Sequence, residues 1–150
     1  MQDAAKKWIQ IWPTSADAPL HSLADHKVNT GIFVHAVVTA NTSVGCGAYV
    51  TCIVESFTVG SALEVWGKAS GRATEPGSTA IVTVTPENFV GLWGQMGEEQ
   101  ASQWIFFKHL SGKGIVSLPG SVDGLTLLTE KHKQSLETTE QSWAKLTWDV

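Results

Sequence analysis

Acid–base, nucleophilic or metal chemistry in this chain would have to come from five histidines, two cysteines and a scatter of carboxylates. His21 and His26 flank Asp25, His35 lies in an apolar run beside Phe33 and Val37, and His109 and His132 stand apart. None of these spacings matches His-Glu-x-x-His or Cys-x-x-Cys, so no zinc set is expected. Gly-x-Ser-x-Gly and the Gly-x-x-x-x-Gly-Lys-Ser/Thr phosphate loop are also absent from the sequence. Glu98 and Glu99 are neighbours in sequence, which does not by itself converge two carboxylates on one substrate. We therefore expect no enzyme, no catalytic residues, no metal and no cofactor.

Seven tryptophans are the compositional oddity: Trp8, Trp12, Trp66, Trp93, Trp104, Trp143 and Trp148. Each carries enough apolar area to anchor a core, and Trp is also enriched at protein contact hot spots. Core packing is the first expectation for any one of them. Contact with a partner is the second, and stacking on a sugar ring the third. Trp93, Leu92, Trp12 and Trp8 are the candidate interface residues, with Leu92-Trp93 as an anchor within a Gly-rich stretch (Gly91, Gly94, Gly97).

Composition bounds the class. At 150 residues, with 43% hydrophobic and 16% charged residues, the chain is long enough to bury a core and too apolar for a disordered one. No apolar run approaches a membrane span, and Met1 to Lys7 lacks the apolar stretch of a signal peptide. The net charge is −4 and the only adjacent basic pair is Lys6-Lys7, so strong nucleic-acid binding through phosphates is not expected. Cys46 and Cys52 read as free small hydrophobes, not a disulfide, and the reducing cytosol is the default compartment. Asn41-Thr42-Ser43 matches a glycosylation sequon but reads as a turn.

The elements that would position these residues read as strands. Residues 32–40 give Ile32, Val34, Ala36, Val38 and Ala40 on one face, and residues 48–54 form a second β-rich run. Shorter strands are expected at 62–66, 80–85, 103–110, 124–129 and 143–150, with an eighth within 7–28. Pro76-Gly77 should centre a type II turn, and Pro86 should end the strand that follows. Residues 134–142 read as a polar loop, and Glu98 to Ala101 as one helical turn at most. The expectation is a single all-β domain over 1–150, an eight-stranded antiparallel jelly-roll sandwich, with 1–25 supplying strand A or B and an arm.

The run from His26 to Phe57, HKVNTGIFVHAVVTANTSVGCGAYVTCIVESF, resembles the strand C–loop–strand D region of the large coat protein of comoviruses, in the secovirus family of plant picorna-like viruses. Thr30-Gly31, residues 39–43 and Gly45-Cys46-Gly47 carry the likeness. Further on, Glu75-Pro76-Gly77 and the ending Ala144-Lys145-Leu146-Thr147-Trp148 are similar to that family's turn before strand F and last strand. Residues 1–25 match nothing in the family, and the chain is shorter than that two-jelly-roll coat protein.

The resemblance implies strands C to I at about 31–41, 47–56, 62–68, 79–86, 103–110, 123–131 and 143–150. Shell contacts would fall in the loops at 87–102 and 111–121. It also implies a structural capsid protein of an icosahedral shell around single-stranded RNA. The partners would be other copies and sister coat domains, with weak contact to genomic RNA and none to a membrane. Location would be the virion, and the host cytoplasm before assembly. The alternative is a carbohydrate-binding β-sandwich with a Trp platform.

Overall fold

The computed structural model describes residues 7–40, 44, 47–110 and 119–148. Of these, about 49% are helical and only 19% lie in short strands, which overturns the all-β jelly roll. The elements run β1 (Trp8–Trp12), β2 (Pro19–Ser22), α1 (Val28–Thr39), β3 (Tyr49–Thr51), β4 (Glu55–Thr58), α2 (Val59–Ala69), β5 (Thr79–Thr83), α3 (Pro86–Leu110), β6 (Ser121–Asp123), a 3₁₀ turn (Gly124–Leu127), α4 (Glu130–Gln134) and α5 (Thr139–Ala144). The strands form three separate pairs: β1 with β5 in parallel, β2 with β4 antiparallel, and β3 with β6 in parallel. No facing four-stranded sheets exist among them, so the wedge-shaped shell subunit loses its structural basis, and nothing in the fold supports a viral-coat or virion role.

The corrections have identifiable causes. Residues 28–39 are helix α1, not strand C. The run is apolar on every side, and such a run fits either a buried strand or a helix. What selects the helix is the spacing Asn29, Phe33, Ala36, which falls on one helical stripe and is the buried set. Val34 and Val38 on the outer side remain 55% and 76% exposed. Asp25 starts the helix: its Oδ1 accepts from the Lys27 and Val28 N–H groups at 2.8 and 2.9 Å. The Val28 N–H is the main cause of an Asp25 pKa held below the ordinary carboxylate value.

Residues 62–66 are likewise helical, within α2. Thr58 caps it: the Thr58 Oγ1 accepts from Ser61 N–H at 3.1 Å, while Ser61 Oγ accepts from Thr58 N–H at 2.9 Å. Residues 103–110 belong to α3, as do the residues 87–102 expected to be irregular. There Thr85 caps, Pro86 occupies the first turn and Glu87 follows with its pKa lowered, chiefly by a backbone hydrogen bond. The helix breaks at Gly94, whose φ of 60° and ψ of −141° suit glycine.

The segment expected as strand H, 123–131, holds the end of β6, the 3₁₀ turn and the start of α4, and the last expected strand, 143–150, opens on the final two residues of α5 and holds no strand among its described residues. The stretch expected as a polar loop over 134–142 contributes to α4 and α5. Strand F is present as β5, and strands do lie within 7–28 as β1 and β2. The turn at Glu75–Ser78 has Gly77 at φ 75° and a Ser78 N–H to Glu75 C=O bond of 3.1 Å. Residues 41–43, Cys46, 111–118 and 149–150 lie outside the described residues, and with them the sequon, half of the cysteine pair and part of the expected contact loop.

The closed part of the core centres on Phe33, Ala36 and Leu128, with Leu23, Ile32, Cys52, Val54 and Leu136 around them. Gly124 lets the chain pass here, since a Cβ on it would meet Thr51 O at 2.7 Å and the Phe33 ring at 2.9 Å. Cys52 behaves as the small hydrophobe expected, a free thiol whose pKa burial pushes up. Asn29, with no exposed surface, ties α1 to the C-terminal region. Its Nδ2 donates to Leu23 O and Glu137 O, both at 2.8 Å, and its Oδ1 accepts from Glu137 N–H at 3.0 Å.

Candidate functional site

The histidines stay dispersed. His21 does not meet His26; it stands opposite Ser56 in the β2–β4 register, with Nδ1 3.0 Å from Ser56 Oγ. Ser56 is a residue the sequence reading missed, and only the strand pairing brings it to an imidazole. The pair is exposed. His35 sits on a helix, with its ring 5.1 Å from that of His132. No group of three His, Cys, Asp or Glu side chains that could hold a metal occurs among the described residues.

Aromatic residues do converge, along β1. Trp8 meets Trp66 edge-on at 5.4 Å, Trp66 meets Trp148 at 6.0 Å, and Trp148 meets Trp143 at 6.4 Å. Trp12 lies 4.7 Å from Trp104 of α3. Polar handles anchor part of this network. Trp8 Nε1 donates to Arg72 O at 2.9 Å, Trp148 Nε1 donates to Trp143 O at 3.0 Å, and the Arg72 guanidinium lies 5.6 Å over the Trp8 ring and donates to Trp148 O. Trp12 Nε1 is buried without a hydrogen-bond partner among the described residues. Six of the seven tryptophans are half-buried and none joins the buried core; Trp93 is 57% exposed.

Two grooves flank β1. One, of about 420 Å³, lies toward α2 and is walled by Trp8, Trp12, Leu63, Trp66, Trp104 and Trp143. The other, of about 690 Å³, lies toward α3 and is walled by Ile9, Ile11, Trp12, Trp93, Met96 and Trp104. Both fall in the size range of binding clefts, roughly 300–1,000 Å³. Ile9, which borders both grooves, is 62% exposed, and in the second groove Trp93 is 57% and Met96 68% exposed. No charged side chain among the described residues lines the second groove.

Local structure explains this exposure. Among the described residues β1 pairs on one side only, with β5. The break at Gly94 lets α3 change direction, and Gly97 permits close approach, since a Cβ there would lie 2.9 Å from both Phe89 O and Trp93 Cβ. Trp93 and Met96 are therefore held on either side of a rigid bend. Of the four interface candidates, Trp12 and Trp93 share this groove, Trp8 lines its neighbour, and Leu92 is exposed at 56% but lines neither. Ile9, Ile11 and Met96 were missed. For Ile9 and Ile11 the signal was the uncharged run of residues 8–12, which an edge strand normally interrupts with charge. Compared with protein-family models, curated proteins and solved structures, the chain matches none.

Proposed function

We propose that this chain is a protein-docking domain, acting by contact and not by catalysis, with its contact face in the groove between β1 and α3. One observation carries the reading. A strand edge unpaired among the described residues and three large exposed apolar side chains, Ile9, Trp93 and Met96, meet in one groove that no charged side chain of the described residues lines. Exposed apolar surface of this kind, backed by rigid elements, is characteristic of contact sites. A free strand edge adds main-chain hydrogen bonding as a source of affinity.

A sugar platform is less favoured by the same geometry. Stacking on a flat sugar face calls for rings in a common plane, and the rings of Trp8 and Trp66, Trp66 and Trp148, and Trp143 and Trp148 meet at 70°, 89° and 86°. Assembly into a viral shell drew its argument from a jelly roll, so only its general content, association through Trp-bearing surface, enters the proposal.

Selection of displayed peptides on the immobilised full chain tests the reading. Selected peptides should be extended and apolar, and should lose at least about tenfold in affinity, roughly 1.4 kcal/mol, on the Trp93→Ser, Met96→Gln double variant. Peptides that bind the variant as well as the parent chain would overturn it.

A further inference from the structure

We infer that the partner at this face is a second copy of the chain, joined through antiparallel pairing of the two β1 strands about a twofold axis at Gln10. The inference rests on the docking reading above and goes on to name the occupant. Its basis is the strand's own sequence, since Trp8-Ile9-Gln10-Ile11-Trp12 reads the same in both directions. A twofold contact brings a surface against itself, so residue i meets j and j meets i. A palindromic strand satisfies that condition with identical side chains at each pair.

The backbone phase agrees. Trp8 N–H donates to Ser78 O at 2.8 Å, and Trp12 O accepts from Val84 N–H at 3.0 Å. Trp8, Gln10 and Trp12 therefore turn their peptide groups toward β5, and Ile9 and Ile11 turn theirs to the open edge, where no partner exists among the described residues. In the antiparallel dimer Ile9 stands opposite Ile11 of the second copy, and the N–H and C=O groups of both isoleucines bond across the axis. Gln10 then faces Gln10 as a non-hydrogen-bonded pair with Cα atoms about 4.5 Å apart. The result is a continuous sheet in the order β5, β1, β1, β5.

Charge and area agree as well. Copies of a chain with net charge −4 repel where charged faces meet, whereas no charged side chain among the described residues lines this groove. The consecutive residues Ile9, Gln10, Ile11 and Trp12 all border it, so it meets the strand edge-on. The exposed parts of Ile9, Ile11, Trp93 and Met96 in two copies amount to on the order of 1,000 Å², the area at which specific interfaces begin.

The test uses the full chain carrying Cys46→Ser and Cys52→Ala, with Gln10→Cys added. A Cα separation of about 4.5 Å lies within disulfide range, so mild oxidation should link most chains through position 10, while a Lys131→Cys control on α4 stays unlinked. Sedimentation of the wild-type chain should show a dimer. Ile9→Lys with Ile11→Lys should weaken it on the order of 100-fold, because like charges then stand opposite one another. Mixing that variant with Ile9→Glu, Ile11→Glu should restore a mixed dimer, which excludes misfolding as the cause. A wild-type chain monomeric at about 100 μM, or a dimer in which Gln10→Cys links no faster than the control, overturns this inference. Groove-dependent peptide binding would still stand in either case, and its loss alone would remove the docking reading.

Discussion

The regions around Phe33 and around β1 are built from the same apolar and aromatic residue types, and they differ in whether their bonding capacity is filled. At Phe33, 2% exposed, the ring meets Gly124, and the neighbouring Asn29 satisfies its amide against Leu23 and Glu137. Along β1, Ile9 is 62% exposed, and among the described residues one strand edge has no partner and the buried Trp12 Nε1 has no bond. Buried polar groups left unpaired are costly, so a region that closes them reads as scaffold. A region that leaves edge and apolar surface open, on rigid supports, reads as the place where something binds.

Substitutions should separate the two regions. Phe33→Ala should cost the most, about 3–5 kcal/mol, through lost burial and the cavity left behind, measured as a lower urea midpoint. Asn29→Ala should follow at about 2–3 kcal/mol, because it strands the Leu23 and Glu137 carbonyls and the Glu137 amide in the interior. Thr58→Ala should cost about 1 kcal/mol by removing the α2 cap.

Asp25→Asn should lower stability at neutral pH and converge on the parent chain in acid. The native Asp25 pKa lies below its unfolded value, chiefly through the Val28 N–H, with Lys27 N–H and Ser142 also contributing. Its stabilisation is therefore present above the unfolded pKa of about 3.9 and lost as pH falls through the lower native one. The variant should flatten that limb of the stability–pH curve. Trp93→Ser with Met96→Gln should change stability least, within about 0.5 kcal/mol, while removing peptide binding. A large stability loss there would erase the contrast between the two regions.

Several features could be read before any fold was known. Pro76-Gly77 forms its turn because Pro presets φ and Gly accepts a positive one, and both requirements are local. Pro86 does not end β5, which stops at Thr83; it opens α3. Two helix starts were also available: Thr85-Pro86-Glu87 ahead of α3, and Thr138 with Gln141 ahead of α5, a capping box in sequence. The caps of α2 and α4 use Ser61 and His132 as reciprocal partners, which lie outside the usual Glu/Gln pattern.

The sequence by itself determined the local punctuation, the uncharged palindrome of β1 and the wealth of tryptophan, since these depend only on residue type and nearest neighbours. Tertiary structure decided whether the Val- and Ile-rich runs became strands or helices. Those runs have intrinsic preference for strand, and contacts far along the chain outweigh it: Asn29 to Glu137, Phe33 to Gly124, Thr51 to Asp123. It also decided that β1 pairs, among the described residues, on one edge only.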